Sequence, residues 1–484
     1  MPALLSTLLQ RSFDLDPMIG GVTADSRKVK PGFLFAALPG SKVDGREFAA
    51  KALAAGAAAV ISAEDMPGLG VPVVVTPDPR RAYALAAKAF WGAQPPVVVA
   101  VTGTNGKTSV AAFCRQIFNH AGRKAASMGT LGVRATGPGL DEQITPPGLT
   151  TPDAADVAEL MSVLATKGVT HLALEASSHG LDQRRLDGVL LTAAGFLNLT
   201  QDHLDYHETM DAYQASKLRL FEALLPRGAT AVLNADSDAY GAFAATAVTH
   251  GQTVYSVGEA GQGLRLLSRH PTPEGQTLKI EAAGEVYDVR LPLVGGYQAS
   301  NVLVAAGLCI AAGEDVATVM SALETIEGAP GRLQRVGTGP KGGEAYVDYA
   351  HTPDGLETVL KALRPHVEGR LIVVFGAGGD RDRAKRPLMG KAAAEHADVA
   401  IVTDDNPRNE VPAAIRAEVL AGAKGAQEIG DRREAIRSAV AQMQPGDVLV
   451  VAGKGHEQTQ TIGTTMHHFD DVAEVKAALE TANG

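Results

Sequence analysis

Short apolar runs recur along this chain, each closing on glycine or polar residues and each followed by an alanine-rich helical stretch. Continuous β-branched runs of this kind read as strands buried on both faces, and their alternation with helices predicts parallel sheets. The first stretch carries runs at 33–38, 57–62 and 71–76, and Gln94-Pro95-Pro96 then interrupts the pattern as a linker would. A longer α/β stretch follows, with runs at 97–102, 171–176, 193–199 and 229–234. Between about 253 and 293 the pattern changes to alternation, as at Tyr287, Val289, Leu291 and Leu293, which predicts a small antiparallel addition. A second break falls at Gly328-Ala329-Pro330-Gly331-Arg332. The last third has four runs, at 346–347, 371–375, 399–402 and 448–452, each entering a polar loop. The pattern predicts an α/β chain of three domains: a small α/β domain at 1–95, a central domain with a parallel sheet at 96–330, and a Rossmann-like domain at 331–484.

Composition narrows the function classes. A length of 484 residues suits about three domains, and 44 Lys+Arg against 54 Asp+Glu give a net charge of −10. That balance argues against nucleic acid or a membrane surface as partner, while anionic small substrates need only local cationic clusters. The two cysteines, Cys114 and Cys309, exclude a disulfide framework. The N-terminus lacks a basic start and a long apolar core, and no segment approaches the ~20 apolar residues of a membrane span. The expectation is a cytoplasmic monomer.

Candidate chemistry begins where the run 97–102 ends. Gly103, Thr104, Asn105, Gly106, Lys107, Thr108 and Ser109 form a glycine-containing turn between a strand and a helical pattern that starts at Val110. Such a turn points backbone N–H groups inward before a helix N-terminus, which suits phosphate. Lys107 would reach the outer phosphates and Thr108 would ligate magnesium. The turn is shorter than G-x-x-x-x-G-K-[ST], because Gly103 precedes Gly106 by only three positions. Glu175 ends the run 171–174, His203 closes the segment 198–203, and Lys217 shares a helix face with Tyr213, four residues earlier. Glu175 with Thr108 would supply hard oxygens to magnesium in phosphoryl transfer. In the last third, ligands are expected beyond the carboxyl ends of the strands, where Arg381, Asp405, Asn406, Arg408, Lys454, His456 and Glu457 would gather on one rim.

These motifs resemble the Mur ligases, ATP-dependent amide-forming enzymes of peptidoglycan precursor synthesis, over essentially the whole chain. The marks are G-T-N-G-K-T-S at 103–109, L-E-A-S-S-H-G-L at 174–181, N-L-T-Q-D-H-L-D at 198–205, Tyr213-x-x-x-Lys217, P-G-R at 330–332, D-Y-A-H-T-P at 348–353 and Asp405-Asn406-Pro407-Arg408. The last accompanies diaminopimelate rather than lysine in that family. The resemblance implies a P-loop ATPase-like central domain and, as substrates, ATP, UDP-N-acetylmuramoyl-L-alanyl-D-glutamate and meso-diaminopimelate, with Mg2+ as cofactor.

It also implies roles by position. Ala24, Ser26, Ser41, Lys42 and Val43 match uridine-nucleotide positions; Thr150, Thr151, Ser177, Gln183 and Arg185 match contacts to the muramoyl-dipeptide. Gly103–Ser109, Asn301, Arg332 and Asp348 match ATP positions, and Arg381, Asp405, Asn406, Pro407, Arg408, Gly453 and Glu457 match the diaminopimelate pocket. Lys107, Glu175, His203 and Lys217 match the catalytic set. Lys217 matches a lysine carried as a carbamate (N6-carboxylysine), which with His203 serves a second magnesium ion. Three positions depart from the family pattern: Leu149 and Gln298 where asparagine is found, and Gln334 where glutamate is frequent. A folylpolyglutamate synthetase shares the loop and reaction type, but the complete first domain and Asp405–Arg408 favour the Mur ligases. A nucleotide-gated switch would leave the carboxylate, histidine and lysine set without a purpose.

Overall fold

The computed structural model describes residues 2–40, 43–339 and 341–483. It divides into two compact units, Met1–Arg265 with Leu303–Val319, and Leu266–Val302 with Met320–Gly484.

The first unit opens with a parallel sheet in the order Gly21–Thr23, Phe33–Ala36, Ala59–Ser62, Val73–Val75. Helix Pro79–Trp91 starts with proline in its first turn and with Asp78 accepting from the Arg81 N–H at 3.0 Å, a pairing that satisfies one of the helix's free donors. Its buried face, Tyr83, Ala84, Ala86 and Ala87, packs with Leu34, Ala36 and Ile61.

A larger sheet is centred on Val97–Thr102. Strands His171–Glu175 and Ala193–Phe196 flank it in parallel; Ala125–Gly129 lies beyond the first, Thr230–Asn234 and Thr253–Gly258 beyond the second. The residues 253–258, expected to open the antiparallel addition, instead form a parallel strand. Helix Tyr240–Thr249 intervenes between them and strand 230–234, and such a crossover produces a parallel neighbour. The alternation proper belongs to the antiparallel pair Gly275–Ala282 and Glu285–Leu291. Hairpin strands Gly132–Gly137 and Leu140–Thr145, not anticipated from the pattern, continue the sheet beyond Ala125–Gly129. Helix Lys107–His120 begins three residues ahead of the apolar pattern, because Gly106 takes a left-handed conformation (φ +92°) that turns the chain directly into it.

The second unit holds a sheet in the order Gln334–Thr338, Glu344–Asp348, Val448–Ala452, Leu371–Phe375, Val399–Val402, Gln427–Glu428, parallel except for its first strand. One face packs Tyr346, Val373, Phe375 and Val450 against Leu356 and Leu360; the other packs Ile372, Val374, Leu449 and Val451 against Ala435, Ile436 and Val475. Asp348, Phe375, Val402 and Ala452 therefore end along one edge, as the four runs predict. Among the described residues no helix is long and apolar enough to cross a membrane.

Arg432 and Asp471 are both fully buried and pair in a two-bond fork at 2.7 Å, and Arg432 also donates to the Ala452 carbonyl at 2.9 Å. They tie two helices to the central strand. Removing one partner leaves an uncompensated buried charge. Asp471→Ala is therefore expected to destabilise the second unit by about 3–5 kcal/mol, read as a shifted midpoint in chemical denaturation; an unchanged midpoint would count against the pair as a structural anchor.

Candidate functional site

The strand Val97–Thr102 delivers the turn at a point of close approach. Gly103 adopts φ +154°, and a Cβ there would stand 2.9 Å from the Leu197 Cβ. The turn is short because the segment after strand 193–196 braces it from outside. Asn198 accepts from the Asn105 N–H at 2.9 Å and donates back to its carbonyl at 3.1 Å, while the Thr104 hydroxyl exchanges bonds with the Thr200 backbone at 3.0 and 3.1 Å. The Tyr213 hydroxyl donates to the same Thr104 oxygen at 3.2 Å. Helix Lys107–His120 begins at Gly106 without a side-chain cap, so its first-turn N–H groups and the positive end of its dipole face an incoming anion.

Two lysines converge on one oxygen here. The Gly103 carbonyl accepts from Lys107 Nζ at 2.9 Å and from Lys217 Nζ at 2.8 Å. Lys217 is 1% exposed, with its Nζ 4.3 Å from the centre of the Tyr213 ring. Burial, then the neighbouring Lys107 charge, hold its amine well below the usual lysine range.

Glu175 is buried at the end of its strand. Its Oε2 accepts from the Thr108 hydroxyl at 2.9 Å, and its Oε1 from the Thr130 N–H at 2.9 Å. Mg2+ takes hard oxygens and is usually held by one or two carboxylates with phosphate and water completing its shell, so this pair of oxygens fits as a protein contribution. Among the described residues no three His, Cys, Asp or Glu side chains converge to hold a metal. His203 sits at the start of helix Leu204–His207 with φ +53°, its ring 6.1 Å from Tyr213 and 4.9 Å from His179. Tyr213 thus lies against both His203 and Lys217. The His179 ring also lies 4.2 Å from Tyr206 and 5.4 Å from His207, a cluster that no sequence spacing announces.

Thr151 gathers the next set. Its hydroxyl donates to the Glu175 carbonyl at 2.8 Å and accepts from the Ser177 N–H at 3.0 Å; Arg185 donates to the Thr151 carbonyl at 2.6 Å and to Gln183 at 2.7 Å. Thr150 meets Thr130 at 2.9 Å. Leu149 is exposed. Ala24 and Ser26 line a cleft of ≈ 1150 Å³ together with Lys28, Lys30, Tyr83 and Asp153. Val43 is exposed and is not among the cleft's lining residues; Ser41 and Lys42 lie outside the described residues.

In the second unit, Arg332 lies over the Tyr349 ring at 4.6 Å, and Asp348 is buried, accepting from the Leu333 N–H at 2.7 Å and the Ala350 N–H at 2.8 Å. Burial pushes the Asp348 carboxyl up. Asn301 donates to Gln298 at 2.9 Å, so the glutamine supplies the acceptor that orients the asparagine. Gln334 accepts from the Gly331 N–H at 2.9 Å, which needs only an oxygen and is met by an amide as by a carboxylate.

Asn406, Arg408, Lys454 and Glu457 of the expected rim come together. Arg408 donates from Nη1 to the Gly379 carbonyl at 2.7 Å, and the exposed Arg381 reaches the same 376–382 loop. Asn406 donates to Glu457 at 3.2 Å. A Cβ at Gly453 would stand 2.6 Å from Asp405 Oδ2, so only glycine leaves that carboxylate in place. Burial, then the Asp405 charge, push Glu457 up. Pro407 carries the chain into Arg408, which adopts φ +50°. Two contributors escape a reading of motifs: Thr130, and the hairpin strands Thr459–Ile462 and Thr465–His468, whose polar, exposed residues carry no apolar signal.

Three family models match in series: "Mur ligase family, catalytic domain" over 18–91, "Mur ligase middle domain" over 101–309, and "Mur ligase, glutamate ligase domain" over 331–455. The chain is 71% identical over 482 residues to the UDP-N-acetylmuramoyl-L-alanyl-D-glutamate–2,6-diaminopimelate ligase of Caulobacter vibrioides, covering 99% of each chain. It is 53% identical to that of Rhizobium meliloti, covering 95% of this chain and 94% of the relative. A solved structure of a ligase of the same name superposes with a TM-score of 0.76 at 35% identity, covering 100% of both chains.

Gly129 tests the carboxylate's placement. A methyl there would lie 1.9 Å from Glu175 Oε1, forcing the side chain off Thr108. Gly129→Ala is expected to weaken binding of magnesium nucleotide by about tenfold or more, as for loss of a contact to a charged group. Calorimetric titration reads this; an unchanged affinity in a folded variant would show that Glu175 is not needed there.

Proposed function

The chain belongs to the Mur ligase family, and from that premise we propose that it uses ATP to join meso-diaminopimelate to UDP-N-acetylmuramoyl-L-alanyl-D-glutamate. The observation that carries this reading is the rim on which Arg408 and Asn406 stand beside Glu457. The distal end of diaminopimelate bears a carboxylate and an ammonium, and this rim pairs donors with a carboxylate.

The substrate's γ-carboxylate is a poor electrophile and must first be activated. Its oxygen attacks the γ-phosphorus of ATP, the bond to the bridging oxygen breaks, and ADP leaves an acyl phosphate. The amine of diaminopimelate then attacks the carbonyl carbon; the C–N bond forms, the C–O bond to phosphate breaks, and the amine's proton is released. Lys107, held by the Gly103 and Thr104 carbonyls, keeps an ammonium at the mouth of the turn to offset charge on the transferring group. Thr151, Ser177 and Arg185 hold the acceptor substrate, and the cleft lined by Ala24 and Ser26 takes its uridine nucleotide. Thr108 and Glu175 would hold one magnesium ion, and His203 with the carbamate of Lys217 a second, which when bound neutralise phosphoryl oxygens. Carbon dioxide adds to a neutral amine, and burial beside the Lys107 charge favours that form of Lys217 over the ammonium. A carbamate keeps one N–H for the Gly103 carbonyl while presenting oxygens.

Phosphate release is expected to require both the UDP-linked substrate and diaminopimelate, and to be slower with L-lysine by about 10⁴, because lysine leaves the half-buried Arg408 without its anion. Comparable turnover of the two amino acids would overturn the reading. Arg408→Ala should raise the KM for diaminopimelate steeply and leave that for ATP nearly unchanged. For Lys217→Ala, a short carboxylic acid in the buffer should restore part of the lost activity; rescue by alkylamines alone would overturn the carbamate and leave the ligase reading standing.

A further inference from the structure

The loop 405–408 does not hold its own shape. Each of its residues except Pro407 is tied to Lys454 or to the hairpin strands Thr459–Ile462 and Thr465–His468. Gln460 Nε2 donates to the Asp405 carbonyl at 2.8 Å. The Thr461 N–H donates to Asn406 Oδ1 at 2.9 Å, and the Arg408 N–H donates to the Thr461 carbonyl at 3.0 Å. The Gly463 N–H returns a bond to the Arg408 carbonyl at 2.7 Å. These two backbone bonds clamp Arg408 at φ +50°, a conformation a non-glycine residue rarely adopts unaided.

Lys454 is fully buried, and its Nζ donates to Asn406 Oδ1 at 3.0 Å and to the Thr459 carbonyl at 2.8 Å. An ammonium and a backbone N–H are donors only, so the Asn406 atom they both meet is its oxygen. The amide nitrogen is thereby turned to the opposite side, where it meets Glu457 Oε2 at 3.2 Å. Were the amide reversed, its oxygen would oppose the Glu457 carboxylate and present a second acceptor to any incoming anion. The cost of burying an ammonium is met here by a task that an apolar side chain would not perform.

We propose that Lys454, with the hairpin it anchors, is the positioning element that sets amino-acid selectivity, by fixing the Asn406 amide and the Arg408 backbone so that both present donors to a distal carboxylate. The inference rests on the diaminopimelate reading and assigns to residues outside the loop the orientation of the groups within it. Lys454 is fully buried and acts through Asn406. Selectivity is then a property of the hairpin as well as of the motif.

The test measures kcat/KM for meso-diaminopimelate and for L-lysine with Lys454→Met, which keeps the stem's bulk and removes the donors. The ratio between the two amino acids is expected to fall by about tenfold or more, as for loss of a charge-assisted bond. The KM for ATP should stay unchanged. Because Lys454 acts through Asn406, adding Lys454→Met to Asn406→Ala should lower the ratio by less than about twofold further. A ratio unchanged in Lys454→Met, or losses that multiply independently in the double variant, would overturn the proposal. If Lys454→Met does not fold, Gln460→Ala, on the partly exposed hairpin, decides: a fall of about threefold supports the proposal and an unchanged ratio overturns it. A wild-type enzyme that releases no phosphate with diaminopimelate would instead refute the underlying reading, whatever the variants do.

Discussion

Two lysine nitrogens share the carbonyl oxygen of Gly103, Lys107 at 2.9 Å and Lys217 at 2.8 Å, and the turn around them is built to make that convergence possible. The carbonyl is exposed to both only because the chain leaves strand Val97–Thr102 in a glycine conformation and lies against Leu197. The short turn survives because Asn198 and Thr200 replace the bracing that a longer loop would supply from within. Tyr213 closes the arrangement, with its hydroxyl on Thr104 and its ring against Lys217. Placing two cations together in a buried position is unfavourable, and one of them must lose its proton or acquire an anion. Lys217 is the deeper of the two, and its amine is the one held below the usual lysine range.

Glu175 shows the same economy of parts. One carboxylate is fixed by the Thr108 hydroxyl from the nucleotide turn and by the Thr130 N–H from the neighbouring strand's end, while its own carbonyl receives Thr151. The nucleotide turn and the residues proposed to hold the acceptor are thus one hydrogen-bonded body. A shift at Gly129 or Thr151 would be felt at Thr108 without passing through solvent.

Much of this was legible in the chain because parallel strands buried on both faces leave continuous apolar runs, and because the residues that bear chemistry sit where those runs end. His171–Glu175, Leu371–Phe375 and Val448–Ala452 appear almost to the residue. Strand Thr253–Gly258 carries the same composition whether its neighbour is parallel or antiparallel, so only the crossover helix decides its direction. The strands Leu140–Thr145, Thr459–Ile462 and Thr465–His468 carry exposed residues, and exposure thins the apolar signal, while Gly132–Gly137 buries only Val133 and Ala135, too few to read as a run. Lys454 was visible as a rim residue, but its burial and its bond to Asn406 depend on a hairpin the pattern could not announce.

Activation of the γ-carboxylate of the UDP-linked substrate as an acyl phosphate, proposed to precede the amine's attack, is read in the fate of that carboxylate's oxygens. With both oxygens replaced by the heavy isotope, mass spectrometry of the phosphate released during amide formation should find a single labelled oxygen in each molecule, because the C–O bond breaks on the carbonyl side. Phosphate released without label, at a rate matching amide formation, would contradict the account.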